Sequence, residues 1–183
     1  MNRPLVAFQG EVGAFSEDAI EKFFGAAAVV SVPQTSFDDV VAAVVDGRTD
    51  YGVIPVENVI AGVIVDAERA IKASDLRTIG DVAIPIEQCL LAVPRARLDD
   101  VSKVLSHPAA LAQCRKFLSL HTEMEPIAVN DTAGAARQVA HAGDRAVSAI
   151  AARRAATIYG LDVLAEGIQD DIENKTRFVV LVR

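Results

Sequence analysis

The chain has no tryptophan, aromatic residues make up only 5% of it, and cysteine occurs twice in 183 residues. With 51% hydrophobic content, alanine and valine rather than aromatic rings must fill the interior, and there is enough apolar material for a sizeable core. Cys89 and Cys114 stand in no C-x-x-C and at no metal-ligand spacing. That pattern fits two reduced, buried thiols better than a disulfide framework or a metal site. Basic residues fall short of acidic ones, 18 against 25, for a net charge of −7. A deficit of that kind excludes the basic footprint of nucleic-acid binding, but a small anion responds to local groups and stays possible as a ligand. No apolar stretch reaches the ~18 residues of a membrane helix. Met1-Asn2-Arg3-Pro4 runs straight into a strand pattern, without the leader of a secreted protein. These features point to a cytoplasmic chain with neither a membrane nor a nucleic acid as partner.

Short apolar runs alternate with helical patterns along the whole length. Leu5-Val6-Ala7-Phe8, Val29–Val32, "YGVIPV" and "AVSAIA" read as strands. Ser16 is a candidate cap for a helix with Glu17 and Asp18 in its first turn. "TSFDDVVAAVVDG", "VDAERAIKAS", "NDTAGAARQVAHAG" and "ARRAATIYGL" read as helices, and "VAIPIEQCLLAV" as a strand long enough to cross between lobes. Helices that follow strands this regularly imply an α/β fold with largely parallel strands. "TSFDDVVAAVVDGRTDYGVI" and "NDTAGAARQVAHAGDRAVSAI" share one plan of cap, helix, turn and strand, which suggests two similar lobes with a ligand cleft between them. The expected division is 1–81 plus 163–183 for the first lobe and 82–162 for the second.

Four stretches offer chemistry. "GEVGAFS" has Gly10 and Gly13 between a strand and a helix start, but neither the Gly-Lys-Ser/Thr of a Walker loop nor a G-x-G-x-x-G fingerprint. It is either a tight turn or a cradle of backbone N–H groups for an anion. "SHPAALAQC" offers Ser106 as an N-cap, Pro108 in the first turn and Gln113 on the helix flank, the last as a surface amide or a ligand group. In "PVENVIAG", Glu57 and Asn58 leave a strand where functional residues of parallel α/β folds gather. In "NKTRF", strand alternation puts Thr176 and Phe178 on one face and Arg177 on the other.

Taken together and in order, "GxxGAFS", "GVIPVEN", "CLL", "SHPxALAQC", "YGL" and "NKTRFVVL" resemble the prephenate dehydratase family over practically the whole chain. The resemblance implies two α/β lobes like those of type 2 periplasmic-binding proteins, with the substrate held between them. It implies decarboxylating dehydration of prephenate to phenylpyruvate in phenylalanine biosynthesis, with no metal and no organic cofactor, by a homodimer. It makes Thr176 the catalytic hydroxyl and Glu57, the acidic neighbour of the pocket's polar residues, a second catalytic candidate. Asn58, Ser106, Gln113, Phe178 and Arg177 become substrate-binding candidates, Arg177 with a structural salt-bridge role as the alternative, and the helix start at Gly13 and Ala14 a carboxylate site.

This chain departs from the family's usual pattern in three places. Val59 and Ala61 replace a hydroxyl and an acid after the Glu-Asn pair, Gln88 replaces a His before "CLL", and Asp81 stands where Glu is common. The alternatives are therefore arogenate dehydration, prephenate decarboxylation without aromatisation, or a non-catalytic anion-binding module. The family's C-terminal regulatory domain is not expected here.

Overall fold

Val6, Ala7 and Phe8 are all fully buried, so the first strand has no polar side; a strand covered on both faces needs none. Each such large side chain taken from water contributes about 1.5–3 kcal/mol. The computed structural model describes residues 3–183. In chain order its elements are β1 (Leu5–Gln9), α1 (Phe15–Phe24), β2 (Val30–Gln34), α2 (Phe37–Val45), β3 (Tyr51–Asn58), β4 (Gly62–Val63), α3 (Val65–Lys72) and β5 (Arg77–Pro85). They continue with β6 (Cys89–Ala92), β7 (Lys103–Ser106), α4 (Pro108–Gln113), α5 (Arg115–Leu120), β8 (Glu125–Ala128), α6 (Thr132–Ala142), β9 (Val147–Ala151), α7 (Arg153–Tyr159), β10 (Asp162–Ala165) and β11 (Lys175–Val182). The result is a mixed α/β fold with two sheets.

The chain divides into two units. The first runs to Glu11 and includes Phe15–Ile86 and Glu173–Arg183; the second comprises Val12–Ala14 and Glu87–Ile172. The boundaries drawn from sequence therefore shift. β5 stays in the first sheet as far as Pro85, and residues 162–165 pair with β6 in the second, because backbone pairing rather than composition decides membership.

In the first unit the sheet order is β2-β1-β3-β11-β5, with β4 paired to β3. Val40 and Ala43 of α2 and Ala67 of α3 pack against Ala7, Ile54, Val56, Val179 and Leu181 on one face. α2 starts where expected: Ser36 accepts from the Asp39 N–H at 3.1 Å. α1 does not. It begins at Phe15, and Ser16 is a buried residue of its first turn rather than its cap. Lys22 of α1 reaches β5, its Nζ donating to the Ala83 carbonyl at 2.9 Å.

In the second unit the order is β10-β6-β9-β7-β8. Cys89 and Leu91 of β6 join a cluster with α6 and α7, while Leu90 between them joins Ala110, Cys114 and Met124 in a second cluster, as the two-residue pleat dictates. The two sheets have the same plan. Three strands run parallel, β2-β1-β3 in one and β8-β7-β9 in the other. A single reversed strand, β11 or β6, then lies between two strands antiparallel to it. The expectation of largely parallel strands thus gives way to mixed sheets, because β11 and β6 run against their neighbours. The two similar segments noted in the sequence, α2–β3 and α6–β9, occupy equivalent places in this plan.

Candidate active site

Thr176 lies near the start of β11, opposite Asn58 of β3 and Ile84 of β5. Alternation along β11 is regular, with Lys175 and Arg177 exposed and Thr176 and Phe178 buried, as the sequence predicts. β3 is not regular. Its register against β11 shifts between the pairs Arg177–Glu57 and Phe178–Pro55, so Val56 is an extra residue on that strand. Ile54 and Val56 both belong to the cluster under α2 and α3. Strict alternation would send Asn58 the same way. The bulge reverses the phase, and Asn58 instead meets the Thr176 hydroxyl on the opposite face.

The hydrogen bonds of Asn58 fix its amide. Oδ1 accepts from the backbone N–H groups of Ile60 at 3.0 Å and Ala61 at 2.9 Å. Two donors can be met only by oxygen, so Nδ2 must point the other way. It donates to Asn174 Oδ1 at 2.8 Å, Thr176 Oγ1 at 2.9 Å and the Lys175 carbonyl at 3.1 Å. Thr176 is therefore an acceptor toward Asn58, and its own proton is directed elsewhere. Asn58 is 7%, Asn174 1% and Thr176 7% exposed, and burial strengthens such bonds.

Glu57 does not join this group. The pleat sets it beside Arg177, with Nη2 of Arg177 3.4 Å from Oε2 of Glu57 and both side chains about half exposed. The sequence reading made Glu57 a catalytic candidate alongside Thr176; in the structure the two side chains leave opposite faces of one strand pair. Arg177 is likewise an exposed ion-pair partner. Phe178 is only 2% exposed and belongs to the interior.

The second unit holds the other candidates. Gly13 has φ +97°, and a Cβ there would lie 3.2 Å from the Ala155 Cα, so glycine is required both for conformation and for close approach to α7. The Tyr159 hydroxyl donates to the carbonyl of Val12 at 2.6 Å. Ala14 beside Gly13 is half-buried. Ser106 is not the cap of α4. That place falls to His107, whose Nδ1 accepts from the Ala109 N–H at 3.1 Å. Ser106, fully buried, donates from Oγ to the Ile150 carbonyl at 2.6 Å, because a hydroxyl at the end of a central strand meets a neighbouring carbonyl before it meets the helix. Gln113 ends α4 half-buried; its Oε1 accepts from Gln88 Nε2 at 3.4 Å. Oε1 of Gln88 is buried without a hydrogen-bond partner among the described residues.

The sequence reading missed Asn174. Its only signal was its place two residues before the threonine, since its role depends on a residue 116 positions away.

Residues 6–183 match the family described as prephenate dehydratase. An Arabidopsis thaliana protein named arogenate dehydratase/prephenate dehydratase 2, chloroplastic, is 40% identical over 182 residues, covering 100% of this chain and 47% of that protein. The solved prephenate dehydratase of Arthrobacter aurescens, in complex with L-Phe, is 31% identical with a TM-score of 0.90, over 98% of this chain and 60% of that one. A structure described as a novel type of quorum-quenching acylase is 32% identical with a TM-score of 0.87, over 98% and 64%. At the level of fold alone, a nutrient-binding protein from Burkholderia cenocepacia bound to methionine aligns at 13% identity with a TM-score of 0.50, over 98% of this chain and 84% of that one. The chain spans under half the length of the Arabidopsis relative. No helix among the described residues is long and apolar enough to cross a membrane.

Proposed function

The chain belongs to the prephenate dehydratase family, and on that premise we propose that it catalyses the decarboxylating dehydration of prephenate to phenylpyruvate, with Thr176 as the catalytic group. The observation that carries this reading is the orientation of the Thr176 hydroxyl: Asn58 Nδ2 occupies its acceptor side at 2.9 Å, so its proton is available to a ligand.

In the reaction, the ring carbon–carboxylate bond breaks and releases CO₂. The electron pair moves through the ring and expels hydroxide from the opposite carbon. Aromatisation drives the process, so the demand on the protein is to assist the departing oxygen. Thr176 donates a hydrogen bond that strengthens as charge develops on that oxygen, and the oxygen leaves as water once it gains a proton. The hydroxyl has no pKa near neutrality, so its contribution comes from a fixed position in a dry setting. Asn58, an amide donor, supports the threonine oxygen as charge shifts onto it. Glu57, engaged with Arg177 on the other face, has no part in this step. In the second unit, Gln113 at the end of α4 and the backbone at Gly13 and Ala14 are the groups we propose for substrate binding. Ser106, which already donates to Ile150, serves to hold β7 to β9.

The test is to incubate the purified chain with prephenate and, separately, with arogenate at neutral pH and to identify the products. Phenylpyruvate above a no-enzyme control is the expected result. Phenylalanine formed from arogenate alone would move the substrate to the amino acid and leave the mechanism intact. Release of CO₂ with a non-aromatic product, or no turnover of either compound, would overturn the proposal. Thr176→Val should lower kcat by ~10²-fold or more with little change in KM, the scale for losing one positioned transition-state donor.

A further inference from the structure

Building on the role proposed for Thr176, we infer that Asn174 is a positioning residue, which sets the donor geometry of Asn58 and through it the direction of the Thr176 proton. The amide of Asn58 has fewer hydrogens than acceptors around it. Asn58 Nδ2 carries two, and three acceptors stand within reach: Asn174 Oδ1 at 2.8 Å, Thr176 Oγ1 at 2.9 Å and the Lys175 carbonyl at 3.1 Å. The amide cannot turn over, because the N–H groups of Ile60 and Ala61 hold its oxygen. What remains is a share-out of two N–H bonds among three acceptors. With Asn174 present, the shortest bond holds one N–H on the side chain of Asn174 and leaves the other for Thr176. Without that oxygen, the Lys175 carbonyl is the acceptor left for the first N–H. The amide then tilts toward the backbone, and its second N–H meets the Thr176 oxygen at a poorer angle, so the contact that orients the threonine proton weakens.

Three observations set Asn174 apart from an ordinary buried amide. It is 1% exposed, so water cannot substitute for its oxygen. Its backbone is held independently of its side chain, with the Ile86 N–H donating to its carbonyl at 2.8 Å, so the chain path survives a change of side chain. It also immediately precedes β11, which ties its position to that of Thr176 through a single extended segment.

The experiment compares Asn174→Ala, Asn174→Asp, Thr176→Val and the Asn174→Ala/Thr176→Val double variant, with circular dichroism to verify folding. Misplacing a reacting group by about 1 Å costs up to ~10²-fold. Asn174→Ala should therefore lower kcat between about tenfold and that limit, with KM within about twofold of wild type. Asn174→Asp, which keeps an acceptor oxygen in place, should retain most of the rate. The double variant should be no slower than Thr176→Val alone, because the second change acts only through the first. An additive loss in the double variant, or a change confined to KM, would overturn the inference. A readout without substrate separates this failure from failure of the proposed reaction. The side-chain amide resonances of Asn58 should shift and lose solvent protection in Asn174→Ala. Unchanged resonances would overturn the inference even in an active enzyme, and shifted ones would sustain it even in a chain that turns over neither prephenate nor arogenate.

Discussion

Two residues of the candidate site have identities dictated by what stands next to them. Thr176 could be valine for the purposes of β11, since both are β-branched and fill the same buried position; only the Asn58 amide gives the hydroxyl a partner. Gly13 is constrained more severely. At φ +97° with the Ala155 Cα 3.2 Å from any added Cβ, Gly13→Ala incurs the left-handed backbone penalty of about 1–2 kcal/mol, before the displacement of α7. We expect a melting temperature lower by roughly 2–8 °C in a chain of this size, measurable by thermal circular dichroism. An unchanged midpoint would mean that the loop can leave α7 without cost.

At the scale of elements, the helix starts show which local signals hold. Asp131 caps α6, its Oδ1 accepting from the Gly134 N–H at 2.6 Å, and Ser36 caps α2. Both were legible because the cap, the acceptor and the first turn are neighbours in sequence. Asp131→Ala should cost about 1 kcal/mol, hence roughly 2–4 °C in midpoint, and Asp131→Asn less; equal losses for the two would point to charge rather than capping. Ser106 failed as a predicted cap for the opposite reason. Ser106 finds its acceptor on Ile150, 44 residues away, and no window around residue 106 contains that carbonyl. The bulge at Val56 is of the same kind. It exists only relative to the register of β11, so "PVEN" read alone does not fix the face that Asn58 takes. By contrast, the alternation of Thr176, Arg177 and Phe178 was readable, because a regular strand needs no partner to set its phase. The α/β class and the two similar halves were legible from the cadence of caps and apolar runs. The reversed strands β6 and β11 were not, since direction is a property of pairing.

For the molecule as a whole, the two thiols link stability to pH. Cys114 is fully buried; burial, with the Asp170 carboxylate adding to it, pushes its thiol from an ordinary 9.0 up to about 12. Burial raises Cys89 as well, with Glu87 contributing. The sign follows from linkage. Below the ordinary thiol range both states are protonated and nothing changes. Above 9 the unfolded chain loses these protons while the folded chain keeps them, so the contribution to stability falls as the pH rises toward about 12. Urea midpoints should decline between pH 8 and 10. In the same range the native chain should resist a thiolate-directed alkylating reagent that labels two thiols per chain in denaturant. Rapid labelling of the folded chain would show that one of these clusters opens readily.

The first sheet has a further consequence in time rather than in space. β11 fills the gap between β3 and β5, yet it is separated from them in the chain by Glu87–Ile172 of the second unit. During synthesis, β3 and β5 emerge early and must wait, with unpaired edges, while 87–172, nearly continuous in sequence, can already gather its own sheet. The strand that brings in Thr176 is also the one that closes the first sheet, so the hydroxyl cannot be in position before that unit is complete. An incomplete product released from the ribosome would have a second unit able to fold but no assembled catalytic group, a built-in order in which the proposed chemistry comes last.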